Sequence, residues 1–154
     1  MVRCVTELLR LTGWSAEHCA LVWLPRGEEN RLRTGTDQAK ALAKGISLRT
    51  GIPAVGLVVR QAEASREQKE LNAAERKQNS RAAFRLSTSC RLPVSTHLIL
   101  VDDIVTSGAS MAAAAKRLRR SGYTDFVALA ALSDDANRLA DEKQPVFDTK
   151  PYKG

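Results

Sequence analysis

Leu98-Ile99-Leu100-Val101-Asp102-Asp103-Ile104-Val105-Thr106-Ser107-Gly108-Ala109-Ser110 is the stretch that decides how this chain reads. Leu98 to Val101 form a short, uninterrupted apolar run of the kind found in strands buried on both faces. Asp102 and Asp103 follow at its end. Adjacent carboxylates repel one another and are costly there unless a cation or a set of hydroxyls satisfies them. Thr106 to Ser110 then offer hydroxyls and approachable backbone N–H groups at the start of a helix, a combination that cradles an anion with help from the helix dipole.

Outward from this stretch, apolar runs alternate with helical patterns. Val5, Leu8, Leu9 and Leu11 suggest an opening helix that Gly13 ends. Cys19 to Leu24 is a continuous apolar run closed by Pro25, and a charged loop follows from Arg26 to Arg33. Thr36 or Asp37 can cap a helix with the stripe Ala39, Leu42, Ala43 and Ile46, which Gly51 and Pro53 stop. Ala54 to Val59 reads as a second strand ending at Arg60, residues 87–97 as a loop, and Met111 to Ser121 as a helix with Met111, Ala114, Ala115 and Leu118 inward. Phe126 to Leu132 is a fourth apolar run. Strands alternating with helices predict one α/β domain over 1–154, with a mainly parallel sheet flanked by helices. Ligands in such sheets sit at the carboxyl ends of the strands, so the chemistry is expected after Leu24, Val59 and Val101.

Composition narrows the function classes. The 154 residues are 44% hydrophobic and 27% charged, a soluble globular balance, with a net charge of +7. Such an excess points to an anionic partner: a phosphate metabolite, nucleic acid or a membrane surface. Aromatics at 5% argue against a base-stacking surface, and Trp14 and Trp23 read as packing. No apolar run approaches the roughly 18–20 residues that cross a bilayer, and no secretory signal is expected. Cys4, Cys19 and Cys90 are odd in number and widely spaced, so they read as reduced, buried thiols of a cytoplasmic protein. His18 and His97 lack neighbours at metal-ligand or triad spacing. P-loop ATPases also end a strand in acids, but they need a Gly-Lys dipeptide that is absent here. Receiver domains place their acidic pair near the first strand, not two-thirds along the chain.

Acids for a sugar diol and a nest for a phosphate, a few residues apart, suit a ribose 5-phosphate group. The run resembles the phosphoribosyl pyrophosphate (PRPP) signature of type I phosphoribosyltransferases. The resemblance implies that Asp102 and Asp103 engage the ribose hydroxyls, and that Thr106, Ser107, Gly108, Ala109 and Ser110 hold the 5-phosphate. It implies magnesium as cofactor, bridging pyrophosphate and ribose oxygens near Asp102 and Asp103, directly or through water. Arg60, Gln68, Leu71, Arg76, Asn79 and Ala83-Phe84 follow the spacing R…Q..L….R..N…AF, which looks like the ComF family, as does Gln38 followed by Ala41-Leu42-Ala43. Together the resemblance covers about residues 20–133, the expected core.

That family resemblance implies a flexible hood over about 61–85, with Gln68, Arg76 and Asn79 facing the site and Arg60 against pyrophosphate. Where family members carry an Arg-Gly-aromatic-Asn-Gln segment, this chain has Thr34-Gly35-Thr36-Asp37-Gln38, and Arg31 and Arg33 are the substitutes for the missing arginine. The family's cysteine-rich zinc module has no counterpart, so the chain reads as the transferase-like domain alone. Expected partners are PRPP or ribose 5-phosphate and a small nitrogenous acceptor, and related domains often dimerise. The alternative is a PRPP-sensing or DNA-uptake accessory protein whose basic arm meets nucleic acid. Residues 60–91 hold eight Lys/Arg against four acids, a net +4, so over half of the excess charge lies on that arm.

Overall fold

In the computed structural model, which describes residues 1–26, 37–60 and 84–133, the chain opens with helix α1 (Val2–Thr12). Strand β1 (Cys19–Trp23) and helix α2 (Gln38–Thr50) come next. Asp37 caps α2 by accepting from the Lys40 N–H at 3.2 Å, as its position predicts. Strands β2 (Ala54–Val55), β3 (Val58–Arg60), β4 (Phe84–Leu86) and β5 (His97–Val105) follow. Helix α3 (Ala109–Arg120) and strand β6 (Phe126–Ser133) complete the described elements.

The main sheet has the order β2-β1-β5-β6 and is parallel throughout. Leu21 pairs with Ile99, and Ile99 in turn with Val127. Residues alternate between two faces of this sheet. Ala20, Val22, Leu98 and Leu100 pack with Ala114 and Leu118 of α3, with Leu57, Val58 and Phe84, and with Tyr123. Cys19, Leu21, Ile99 and Val101 pack on the other side with Val5 and Leu8 of α1, Ala43 and Ile46 of α2, and Ile52. Leu98 to Val101 are each 0% exposed, which explains the unbroken apolar run: both faces are covered.

Three expectations are corrected. Residues 54–59 are not one strand. β2 pairs with β1, whereas β3 leaves to pair antiparallel with β4, Val58 opposite Leu86 and Arg60 opposite Phe84. The break falls at Gly56, where a Cβ would lie 3.0 Å from Trp23 Cζ2, so the indole occupies the space a side chain would need. Second, β5 does not end at Val101. It runs through both acids to Val105, because β6 continues to pair with it at Asp102, Ile104 and Val105. Third, Cys4 is exposed, since Val5 and Leu8 carry the buried stripe of α1; Cys19 is buried and Cys90 partly so, and all three are free. Of the expected hood, Phe84 and Arg85 belong to β4, and residues 61–83 lie outside the described residues.

The two histidines lie in different surroundings. His97, at the start of β5, stacks on Trp14 at 4.3 Å between ring centroids. Its Nδ1 sits 2.8 Å from Asp125 Oδ2 without the alignment of a hydrogen bond. His18 is exposed beside Glu17. Among the described residues, no helix is long and apolar enough to cross a membrane.

Candidate functional site

The strand order brings three chain segments to one end of the sheets. Leu24-Pro25-Arg26 follow β1, Arg60 ends β3, and Asp102 to Val105 end β5 before α3 begins. The Leu24 N–H donates to the Val101 carbonyl at 2.9 Å, which holds the end of β1 beside the acid pair. This is the carboxyl end of the parallel strands, where ligands bind in open α/β sheets.

An open cleft is lined by Asp102, Ile104, Val105, Thr106–Ser110 and Met111. It therefore holds every residue assigned from sequence to the phosphate cradle, with Asp102 at its wall. Gly108 is the N-cap of α3 at φ 67°, a left-handed conformation that glycine adopts without steric cost, and no side chain caps the helix. The N–H groups of the first turn are thus left to an external acceptor, at the positive end of the helix dipole. Thr106, Ser107 and Ser110 are exposed around them, and among the described residues their hydroxyls have no protein partner. An uncapped helix start ringed by three hydroxyls is suited to a phosphate.

The acids behave differently from one another. The Asp103 N–H donates to Asp102 Oδ1 at 2.9 Å. Burial first, and then the hydrogen bond shared with Asp103, push the Asp102 carboxyl up to about 6. Burial also raises Asp103, but its hydrogen bonds with Asp102 and with the Arg26 guanidinium outweigh that and hold it below the ordinary carboxylate range. Arg26 Nη2 pairs directly with Asp103 Oδ2. Arg60 Nε donates to the Pro25 carbonyl at 3.0 Å, and its guanidinium lies 5.1 Å from the centroid of the Phe84 ring. Desolvation lowers the Arg60 pKa, and the Asp102 charge opposes that.

Two adjacent carboxylates are hard oxygen donors that suit magnesium. Among the described residues no group of three or more His, Cys, Asp or Glu forms a cage. Asp102 and Asp103 would be the residues to hold such an ion, with waters and a ligand's own oxygens completing it.

Of the residues singled out by sequence, Asp102, Asp103, Arg60 and Thr106 to Ser110 come together at one sheet end. Arg31, Arg33, Gln68, Arg76 and Asn79 lie outside the described residues. Sequence reasoning missed Arg26, which it placed only at the start of a charged loop. The signal was present: Arg26 follows Leu24-Pro25 directly, at the carboxyl end of a buried strand.

No family model matches the chain, and no solved structure matches it. Among curated proteins, it is 30% identical over 107 residues to Competence protein F of Haemophilus influenzae, covering 70% of this chain and 47% of the relative. It is 32% identical over 103 residues to the DNA utilization protein YhgH of Salmonella typhi and of Salmonella typhimurium, covering 66% of this chain and 44% of each. The chain thus spans a little under half the length of these relatives. Their similarity supports the ComF-family resemblance drawn from the sequence motifs.

Proposed function

We propose that this chain is a ComF-family, type I phosphoribosyltransferase-like domain of the cytoplasm that binds PRPP with magnesium and transfers its phosphoribosyl group to a nitrogenous acceptor. The observation that carries the reading is the uncapped, hydroxyl-ringed start of α3 directly after a paired carboxylate. In this reading the first-turn N–H groups and Thr106 to Ser110 hold the 5-phosphate. Asp102 and Asp103 accept from the two ribose hydroxyls. Asp102 and Asp103 would hold magnesium, directly or through water, and the ion would supply neutralisation of the charge on the leaving pyrophosphate. Arg60 faces the leaving group, with Arg31, Arg33, Gln68, Arg76 and Asn79 assigned to the same side by sequence.

The bond from ribose C1 to pyrophosphate breaks with its electron pair leaving on pyrophosphate. The acceptor nitrogen's lone pair forms the new C1–N bond, and that nitrogen gives up a proton. The passing centre is oxocarbenium-like, so the protein's work is positioning and electrostatic stabilisation. The negative Asp103 beside the ribose is suited to that positive charge. Incubation with PRPP, magnesium and a panel of nucleobases and amines tests the reaction. Release of pyrophosphate with at least one acceptor is expected, and none across a broad panel contradicts transfer.

The names of the relatives favour a second reading, a DNA-uptake or DNA-utilisation accessory with a metabolite pocket. Lys116, Arg117, Arg119 and Arg120 are exposed on α3 and add to the positive surface. Binding of this kind falls steeply with salt as counterions are released. PRPP binding depends instead on magnesium.

A further inference from the structure

Arg26 is separated from Asp103 by 77 positions, yet its Nη2 rests on Asp103 Oδ2, with the two side chains only 21% and 12% exposed. The two residues before it are held. Leu24 is tied to Val101 by its N–H, and the Pro25 carbonyl accepts from Arg60 Nε. Arg60 is itself seated over Phe84. The Arg26 side chain reaches Asp103 from the end of this held segment. It covers one of the two carboxylates that a diol at this site would need.

A guanidinium on a carboxylate and a guanidinium on a phosphoryl group are equivalent charge-assisted arrangements, and arginine's planar fork suits both. On exchange the guanidinium keeps an anionic partner, and the freed Asp103 carboxylate accepts hydrogen bonds from the diol instead. We propose that Arg26 is a positioning residue that caps Asp103 in the absence of ligand, and that binding transfers its guanidinium to the ligand's anionic groups. For the identity of the ligand this rests on the phosphoribosyl reading; for the cap it rests on the contacts just described. The cap holds the acid pair in place and delays its use until an anion is present to receive the arginine. It also favours a ligand that carries both a diol and a polyphosphate over one with the diol and a single phosphate.

The test uses the full chain with Arg26→Gln, Arg26→Lys, Asp103→Asn and the Arg26→Gln/Asp103→Asn double variant. Calorimetric titrations compare ribose 5-phosphate with PRPP, both with magnesium. Removing a partly shielded pair predicts that Arg26→Gln binds ribose 5-phosphate roughly threefold more tightly. Losing a charge-assisted contact to the polyphosphate predicts that it binds PRPP roughly tenfold more weakly. Arg26→Lys should fall between wild type and Arg26→Gln for PRPP. Equal weakening of both ligands, or no change in either, overturns the proposal.

Thermal unfolding without ligand supplies an independent arm. Arg26→Gln should lower the midpoint in the wild-type background and have little effect in the Asp103→Asn background. Additive losses overturn the cap. If wild type binds neither sugar phosphate, the phosphoribosyl reading fails and the transfer to ligand with it, whereas the unfolding cycle still decides the cap.

Discussion

Replacing Asp102 by Asn should make the ligand-free protein more stable, and the gain should depend on pH. The folded-state pKa of Asp102 is raised from 3.8 to about 6, chiefly by burial and by its hydrogen bond with Asp103. The folded state therefore binds more protons than the unfolded state between about pH 4 and pH 6, so this group's contribution to stability falls as pH rises through that window. A difference of about two pKa units corresponds to roughly 3 kcal/mol. Partial exposure and screening reduce this to about 1–2 kcal/mol. For a chain of this size the gain amounts to a rise of roughly 2–8 °C in the unfolding midpoint. Asn keeps an oxygen that accepts from the Asp103 N–H and removes only the charge.

The assay is thermal or urea unfolding of wild type and Asp102→Asn across pH 4 to 8, without magnesium or ligand. Comparing the two proteins at each pH cancels the titration of groups that do not touch Asp102; Asp103, which does, is also held below the ordinary carboxylate range by Arg26. The difference should be near zero at about pH 4, grow through pH 5 to 6, and level off above. A variant less stable than wild type at pH 8, or a difference that is flat with pH, would show that the buried Asp102 charge does not cost stability. The sign carries a functional message: a carboxylate that costs stability is retained for something other than folding.

Two further outcomes follow from the geometry. Gly56→Ala places a Cβ 3.0 Å from Trp23 Cζ2, so the indole must move; a loss of about 1–3 kcal/mol in denaturant unfolding, with a shifted tryptophan emission, is expected, and unchanged values for both would be the contrary result. Gly108→Ala forces a side chain into φ 67° at the start of α3; about 1–2 kcal/mol of strain should appear as lower stability or as an equivalent loss of sugar-phosphate affinity, and neither appearing would remove the loop from the site.

Much of the fold was readable because local and global signals agree. Cys19 to Leu24 and Leu98 to Val101 are continuous apolar runs because helices or the β3–β4 pair cover both faces of the sheet. Asp37 and the Ala39–Ile46 stripe mark α2, and the small-residue loop after Asp103 marks the start of α3. The misreadings share a cause in contacts between distant segments. Nothing near Gly56 announces that Trp23, 33 positions earlier, fills its side-chain space. Asp102 and Asp103 are poor strand formers, yet main-chain pairing with β6 carries β5 through them. Arg26 and Asp103 meet only because β1 and β5 are neighbours, a pairing set by strand order rather than by any local pattern. For the candidate site, the acid pair and the small-residue loop could be placed together because they are contiguous. The cap on Asp103 could not be, because half of it comes from another strand end.

The measurement that bears most directly on the account is isothermal titration of the wild-type chain with PRPP, with and without magnesium, beside the Asp102→Asn/Asp103→Asn variant. The account predicts a single site that needs magnesium and is lost in the folded double variant. Absence of binding to wild type, or equal binding by the variant, would contradict it.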